Sequence, residues 1–142
     1  MMRKVFYNSW VAHIVLSLSS CHTIMLFGFV FSILKESEMT QAVRNHECVH
    51  ARQWMETTFA CGAMIMLAVL AFGIHPVWLL LGGTFFYVWY VLEWAYKAIV
   101  YAILKIPGNA YKDVSFEREA RFAAWNPNYL ENSNYFAWLR EL

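Results

Sequence analysis

The sequence predicts a mainly α integral-membrane protein. It would be a helical hairpin with a juxtamembrane helix carrying His46-Glu47-Cys48-Val49-His50, and a C-terminal helical segment. Three observations predict this. Of 142 residues, 60% are hydrophobic and 15% charged, against roughly 45–50% and about 25% in an average soluble domain. Charged residues are missing from 5–34 and again from 57–92. The second run exceeds the roughly 20 residues of a single span, and Gly73-Ile74-His75-Pro76 breaks it, since Gly ends helices and Pro disfavours a helical residue before it.

The length predicts one domain over residues 1–142. Residues 1–36 form an apolar N-terminal segment of two candidate structures. Residues 10–34 are long enough for a third span, and Arg3-Lys4 precede them, but no small-residue cleavage site marks a signal peptide. His13, Ser17, Ser19, Ser20, His22 and Thr23 weaken the span. The stretch 23–34, rich in aromatic and β-branched residues around Gly28, suits a pair of strands. Periodicity does not separate the two.

Residues 40–72 come next, as a metal-bearing helix that continues into the first span. Thr40 is placed to cap it, and Gln41-Ala42-Val43-Arg44 continue it without a breaker. Residues 77–104 form the second span, with Trp78, Tyr87, Trp89, Tyr90, Trp94, Tyr96 and Tyr101 as candidates for an interfacial belt. Pro107-Gly108-Asn109 marks a turn. Residues 111–142 then read as short helices broken near Asn126-Pro127-Asn128.

Lys35, Arg44, Arg52, Lys105, Lys112, Arg118, Arg121 and Arg140 all fall on one side of the hairpin, and its loop carries no Lys or Arg. The positive-inside rule places that side in the cytoplasm. A net charge of +1 gives no basis for nucleic-acid binding. Cys21, Cys48 and Cys61 are odd in number and lack a CxxC spacing, so they predict no disulfide framework.

The string His46-Glu47-Cys48-Val49-His50 is HExxH on a helix. Residues i and i+4 share a face, so His46 and His50 can offer two imidazoles to one zinc ion, while Glu47 reaches a water in an open metal position. Bound zinc lowers the pKa of that water toward about 7, and the carboxylate takes its proton. The plain alternative is two polar histidines on a juxtamembrane helix. A catalytic zinc also needs a third ligand. Two spans return the chain to the side it left, so Glu117 in Glu117-Arg118-Glu119-Ala120-Arg121 can approach the histidines, with Glu119 on the opposite side of the helix.

His46-Glu47-x-x-His50-x-x-Gln53 followed by Glu117-x-x-Ala120 resembles the gluzincin class of zinc metallopeptidases. That resemblance implies Glu117 rather than Glu119 as third ligand, a Zn2+ cofactor and a peptide or protein substrate. Many such families carry Asp or Asn where this chain has Arg121. Over roughly residues 22–142 the chain also resembles a small family of bacterial integral-membrane proteins. These share an HExxHxxQ helix, an aromatic-rich apolar hairpin, and a segment that here reads Ala110-Tyr111-Lys112-Asp113-Val114-Ser115-Phe116-Glu117-Arg118-Glu119-Ala120. This likeness implies a bacterial inner membrane, and the positive-inside reading puts the metal site on its cytoplasmic side. In zincins an edge strand precedes the metal helix and can pair with extended peptide, so the resemblance favours strands at 22–34.

Several other residues carry alternative readings. Glu93 and Lys97 are an i, i+4 pair; Glu93 could instead orient a ligand histidine. Gln53 can brace the site, meet substrate or pack between helices. Tyr111 is a candidate oxyanion donor or an interfacial tyrosine. His13, His22 and His75 lack ligand spacing, and Met64 and Met66 read as packing residues. The expected function is a zinc-dependent peptide hydrolase with Glu47 as base. The alternative is a non-catalytic membrane protein that binds a partner or lipid and uses the metal structurally. A hydrolase acting on lipid or another amide would use the same residues. Two lipid-exposed helices leave room for a homo-oligomer.

Overall fold

A computed structural model describes residues 4–18 and 21–142. Arg3, Ser19 and Ser20, which bear on the N-terminal segment, lie outside them. The chain is mainly helical with one small sheet. It divides into two compact units.

The first unit comprises the described residues up to Arg52 together with Glu119–Ala137. Strand β1 (Val5–Phe6) leads into a short helix α1 (Trp10–Val15), then strands β2 (Thr23–Leu26) and β3 (Phe29–Ser32). Of the two candidates for this segment, the described residues therefore hold a short helix and the strand pair, not a third span. The hairpin loop is Phe27-Gly28, with φ of 49° and 80°. Positive φ at both central residues matches the right-handed twist of the strands, and Gly28 adopts it freely. The sheet order is β1-β3-β2, with β1 parallel and β2 antiparallel to β3. Met25, Val30 and Ser32 are buried.

Helix α2 (Gln41–Phe72) begins where expected, and Thr40 Oγ1 accepts from the Val43 amide at 3.3 Å. Its Val49 forms a small core with Ala120 and Ala123, covered by Tyr129 and Leu130. These partners come from α4 (Ser115–Ala124) and the short α5 (Tyr129–Asn132). The break expected near Asn126-Pro127-Asn128 separates the two. Asn45 Nδ2 donates to the Asn126 carbonyl across it.

The second unit comprises Gln53–Arg118 and Trp138–Leu142. Gly73, at φ 65°, ends α2 in the left-handed region. His75 Nδ1 accepts from the Val77 amide ahead of Pro76. The next residues differ from the expected continuous α-helix. Pro76–Thr84 is a 3₁₀ segment, and α3 is Phe85–Leu104. The tighter segment contains Gly82 and Gly83, where close packing matters more than helix propensity. A Cβ on Gly82 would stand 3.3 Å from the Thr58 carbonyl oxygen, and the Gly83 carbonyl accepts from Trp54 Nε1 at 2.8 Å.

The unit's interior is aromatic. Phe116 is fully buried, stacks on Phe86 with centroids 4.6 Å apart, and meets Trp138 of the closing 3₁₀ turn edge-on at 4.6 Å. Elsewhere the long helices are bare. Leu67, Leu70, Phe72, Leu80, Leu92, Ile99 and Ile103 are exposed. So are Met64 and Met66, correcting their reading as packing residues. Gln41–Phe72 and Pro76–Leu104 are each long and apolar enough to cross a membrane, and only 11% of each apolar window is buried. The core helix of a soluble protein would be mostly covered.

Candidate metal centre

The N-terminal turns of α2 present His46 and His50 on one face. Their Nε2 atoms stand 3.1 Å apart, with the rings nearly perpendicular. Two nitrogens ligating one zinc at about 2.0–2.1 Å in a tetrahedron would be about 3.3 Å apart. The spacing thus suits a shared cation as well as a shared proton. His50 is buried and His46 half-buried.

Glu47, between them, is buried, and its Oε1 accepts from Thr23 Oγ1 at 2.6 Å. Thr23 opens β2, so the hairpin fixes this carboxylate. Cys48 is buried on the core side.

Glu117 lies in the first turn of α4 and is also buried. Two phenols donate to its Oε1, Tyr90 at 2.8 Å and Tyr111 at 3.1 Å. Its backbone is held as well. The Ser115 amide and hydroxyl donate to Glu93 Oε1 and Oε2 at 2.8 and 2.6 Å, so a carboxylate from α3 serves as the cap that starts α4. Gln53 Nε2 donates to the Phe116 carbonyl at 3.0 Å.

Among the described residues, His46, His50 and Glu117 form a group whose ligand atoms all lie within 4.8 Å of one another. Two imidazole nitrogens and one carboxylate oxygen, mostly buried, are a donor set that fits a divalent cation and leaves a position open. Comparison of the chain with known protein families, with curated proteins and with solved structures finds no match. The chemistry therefore rests on the residues themselves.

Other candidate residues take different places. Glu119 lies apart from the group, in a buried ion pair with Arg52 at 2.7 Å. Tyr129 OH donates to the same Glu119 oxygen at 3.1 Å. Burial, followed by the charge of Glu119, pushes the Tyr129 phenol up to about 12. Glu93 does not orient a histidine; its carboxylate is directed at Ser115 and at Lys97, 2.7 Å away. Lys97 also donates to the Asp113 carbonyl. Gln53 braces the start of α4, and Tyr111 touches Glu117. His13, His22 and His75 are exposed.

Sequence reasoning missed Thr23, and it offered Tyr90, Trp89 and Tyr101 only as candidates for an interfacial belt without finding their partners inside the chain. Trp89 packs on Trp138, and Tyr101 OH donates to Asp113. A signal was present. Tyr90, Glu93, Lys97 and Tyr101 recur at helical spacing along one stripe of an otherwise apolar helix, which is the pattern of a helix bonding to a neighbour.

Proposed function

We propose that this protein is a membrane-embedded, zinc-dependent hydrolase that cleaves peptide bonds. The observation that carries the reading is that ligand atoms of His46, His50 and Glu117 lie within 4.8 Å of one another, with Glu47 next to His46 on α2. His46, His50 and Glu117 would hold the cation. The bound cation supplies Lewis acidity to a carbonyl oxygen and to water.

The rest belongs to the chain. Glu47 accepts the proton of the attacking water and hands it to the departing amine. The Thr23 hydroxyl anchors Oε1 of Glu47 while this happens. A peptide substrate is favoured by the position of β2. It is an edge strand. Because the Ile33 amide bonds to the His22 carbonyl, strand alternation turns the peptide groups of Thr23 and Met25 away from β3. An extended chain added there would lie beside Glu47. Membrane embedding is favoured by the bare apolar faces of the two long helices. We place the site on the cytoplasmic side of a bacterial inner membrane, on the Lys and Arg distribution and the resemblance to bacterial integral-membrane proteins.

The test is metal content and peptide hydrolysis of the detergent-purified chain. Zinc should be retained by Glu47→Gln and by Glu119→Ala and lost in Glu117→Ala, while Glu47→Gln should abolish cleavage. Full function in Glu47→Gln would instead support a partner- or lipid-binding protein with a structural metal. Zinc loss only in Glu119→Ala would overturn Glu117 as ligand.

A further inference from the structure

We propose that Tyr90 and Tyr111 are positioning residues that clamp the Glu117 carboxylate and set the affinity of the cation site. This inference rests on the reading of Glu117 as a cation ligand and adds what holds it.

The two phenols come from different elements, α3 and the segment before α4, and converge on the same oxygen, Oε1. A carboxylate is otherwise free to turn about its last bond. Two donors on one oxygen stop that rotation and make the two oxygens inequivalent. The clamp is itself stiff. The Tyr90 ring stacks on the buried Phe116 with planes 27° apart, and it meets the Tyr111 ring at 6.1 Å. Glu93 and Gln53 fix the backbone on either side of Phe116. The carboxylate is thus held both through its peptide and through its oxygen.

The donor type matters. A phenol is neutral, so it orients the carboxylate without cancelling the negative charge that a cation requires. A lysine or arginine in the same place would neutralise it. The nearby ammonium of Lys97 is directed instead at Glu93 and the Asp113 carbonyl. Partners of this outer kind hold metal ligands in orientation, and losing one costs about 10–100-fold in metal affinity.

The experiment is zinc binding to the full chain in detergent, in competition with a chromophoric chelator. Wild type is compared with Tyr90→Phe, Tyr111→Phe and the double variant, and with Tyr101→Phe, which removes a phenol bond to Asp113 in the same unit. We expect about 10–100-fold weaker zinc in Tyr90→Phe and Tyr111→Phe, more in the double variant, and no change in Tyr101→Phe. The visible bands of the cobalt-loaded protein should shift with the two clamp variants only. Unchanged affinity and cobalt spectrum in both would overturn the inference while leaving the cation site standing. Failure of wild type to bind zinc or cobalt would instead overturn the ligand reading. Tyr111 is half-exposed, so Tyr111→Phe decides the matter even where Tyr90→Phe does not fold.

Discussion

The hydroxyl of Thr23 donates to the Glu47 carboxylate at 2.6 Å across 24 residues of chain. The first residue of an edge strand therefore holds the acid of the HExxH motif. Hydrogen bonds to charged groups contribute about 1.5–3 kcal/mol, and each 1.4 kcal/mol is about tenfold in rate. Thr23→Val should slow peptide hydrolysis about tenfold or more, with zinc content unchanged. Thr23→Ser, which keeps the donor, should restore most of the rate. Wild-type turnover in Thr23→Val would show that the contact does not serve Glu47.

A second expectation concerns Glu93, which caps α4 through Ser115 and pairs with Lys97. Both side chains of the pair are mostly covered. Glu93→Ala leaves the Ser115 amide and hydroxyl and the Lys97 ammonium without this acceptor. Losing a cap costs about 1 kcal/mol, and breaking a buried pair from one side costs about 3–5 kcal/mol. Reversible unfolding in mixed micelles should show destabilisation of about 3 kcal/mol or more. Zinc content should fall too, because Glu117 lies two residues beyond Ser115. Glu93→Gln keeps the side-chain length and one acceptor oxygen without the charge, and its loss should fall between those of wild type and Glu93→Ala.

Much of this arrangement is legible in the sequence, and the limits are physical. The hairpin break at Gly73–Pro76, the Thr40 cap and the HExxH face follow from local rules of backbone geometry. The 3₁₀ character of Pro76–Thr84 does not. It depends on how closely Gly82 and Gly83 approach Thr58 and Trp54, which is tertiary. The strand pair at residues 23–32 is one of two candidates in the sequence, because a short apolar run carries no period that distinguishes strand from helix. Its decisive feature, Phe27 at positive φ beside Gly28, is rare for a bulky residue. The partners of Glu117 are hidden for a related reason. A tyrosine in an apolar helix satisfies its hydroxyl equally well at a membrane interface or on a buried carboxylate, and composition alone weighs the first more heavily. The Arg52–Glu119 pair joins residues 67 apart, beyond the reach of any spacing rule.

That pair supplies a third expectation. Arg52 Nη2 meets Glu119 Oε1 at 2.7 Å, Nη1 donates to Ser133 Oγ at 2.6 Å, and the guanidinium lies over the Tyr129 ring. Arg52→Met or Glu119→Leu alone strands a buried charge and should cost about 3–5 kcal/mol. The double variant Arg52→Met/Glu119→Leu should cost less than the sum, since neither charge is then left alone. Unfolding free energies of the four proteins give the coupling directly. Additive losses would mean that the two residues act independently.

The last expectation comes from Tyr129. Its phenol is pushed up to about 12, first by burial and then by the charge of Glu119, against an ordinary value of about 10. The neutral form is the one the fold favours. Between these values the unfolded chain has given up its proton while the folded chain retains it. The stability contributed by this group is therefore fully present below about pH 10 and is lost as pH rises toward about 12. Stability of wild type should fall more steeply across that window than stability of Tyr129→Phe, which has no phenol to ionise. Absorbance of the phenolate in the near ultraviolet provides a separate reading. Tyr129→Phe should remove one phenol that titrates late in the folded protein. A wild-type phenol at this position ionising near its ordinary value of about 10, with matching slopes in the two proteins, would mean that Glu119 directs its charge to Arg52 alone.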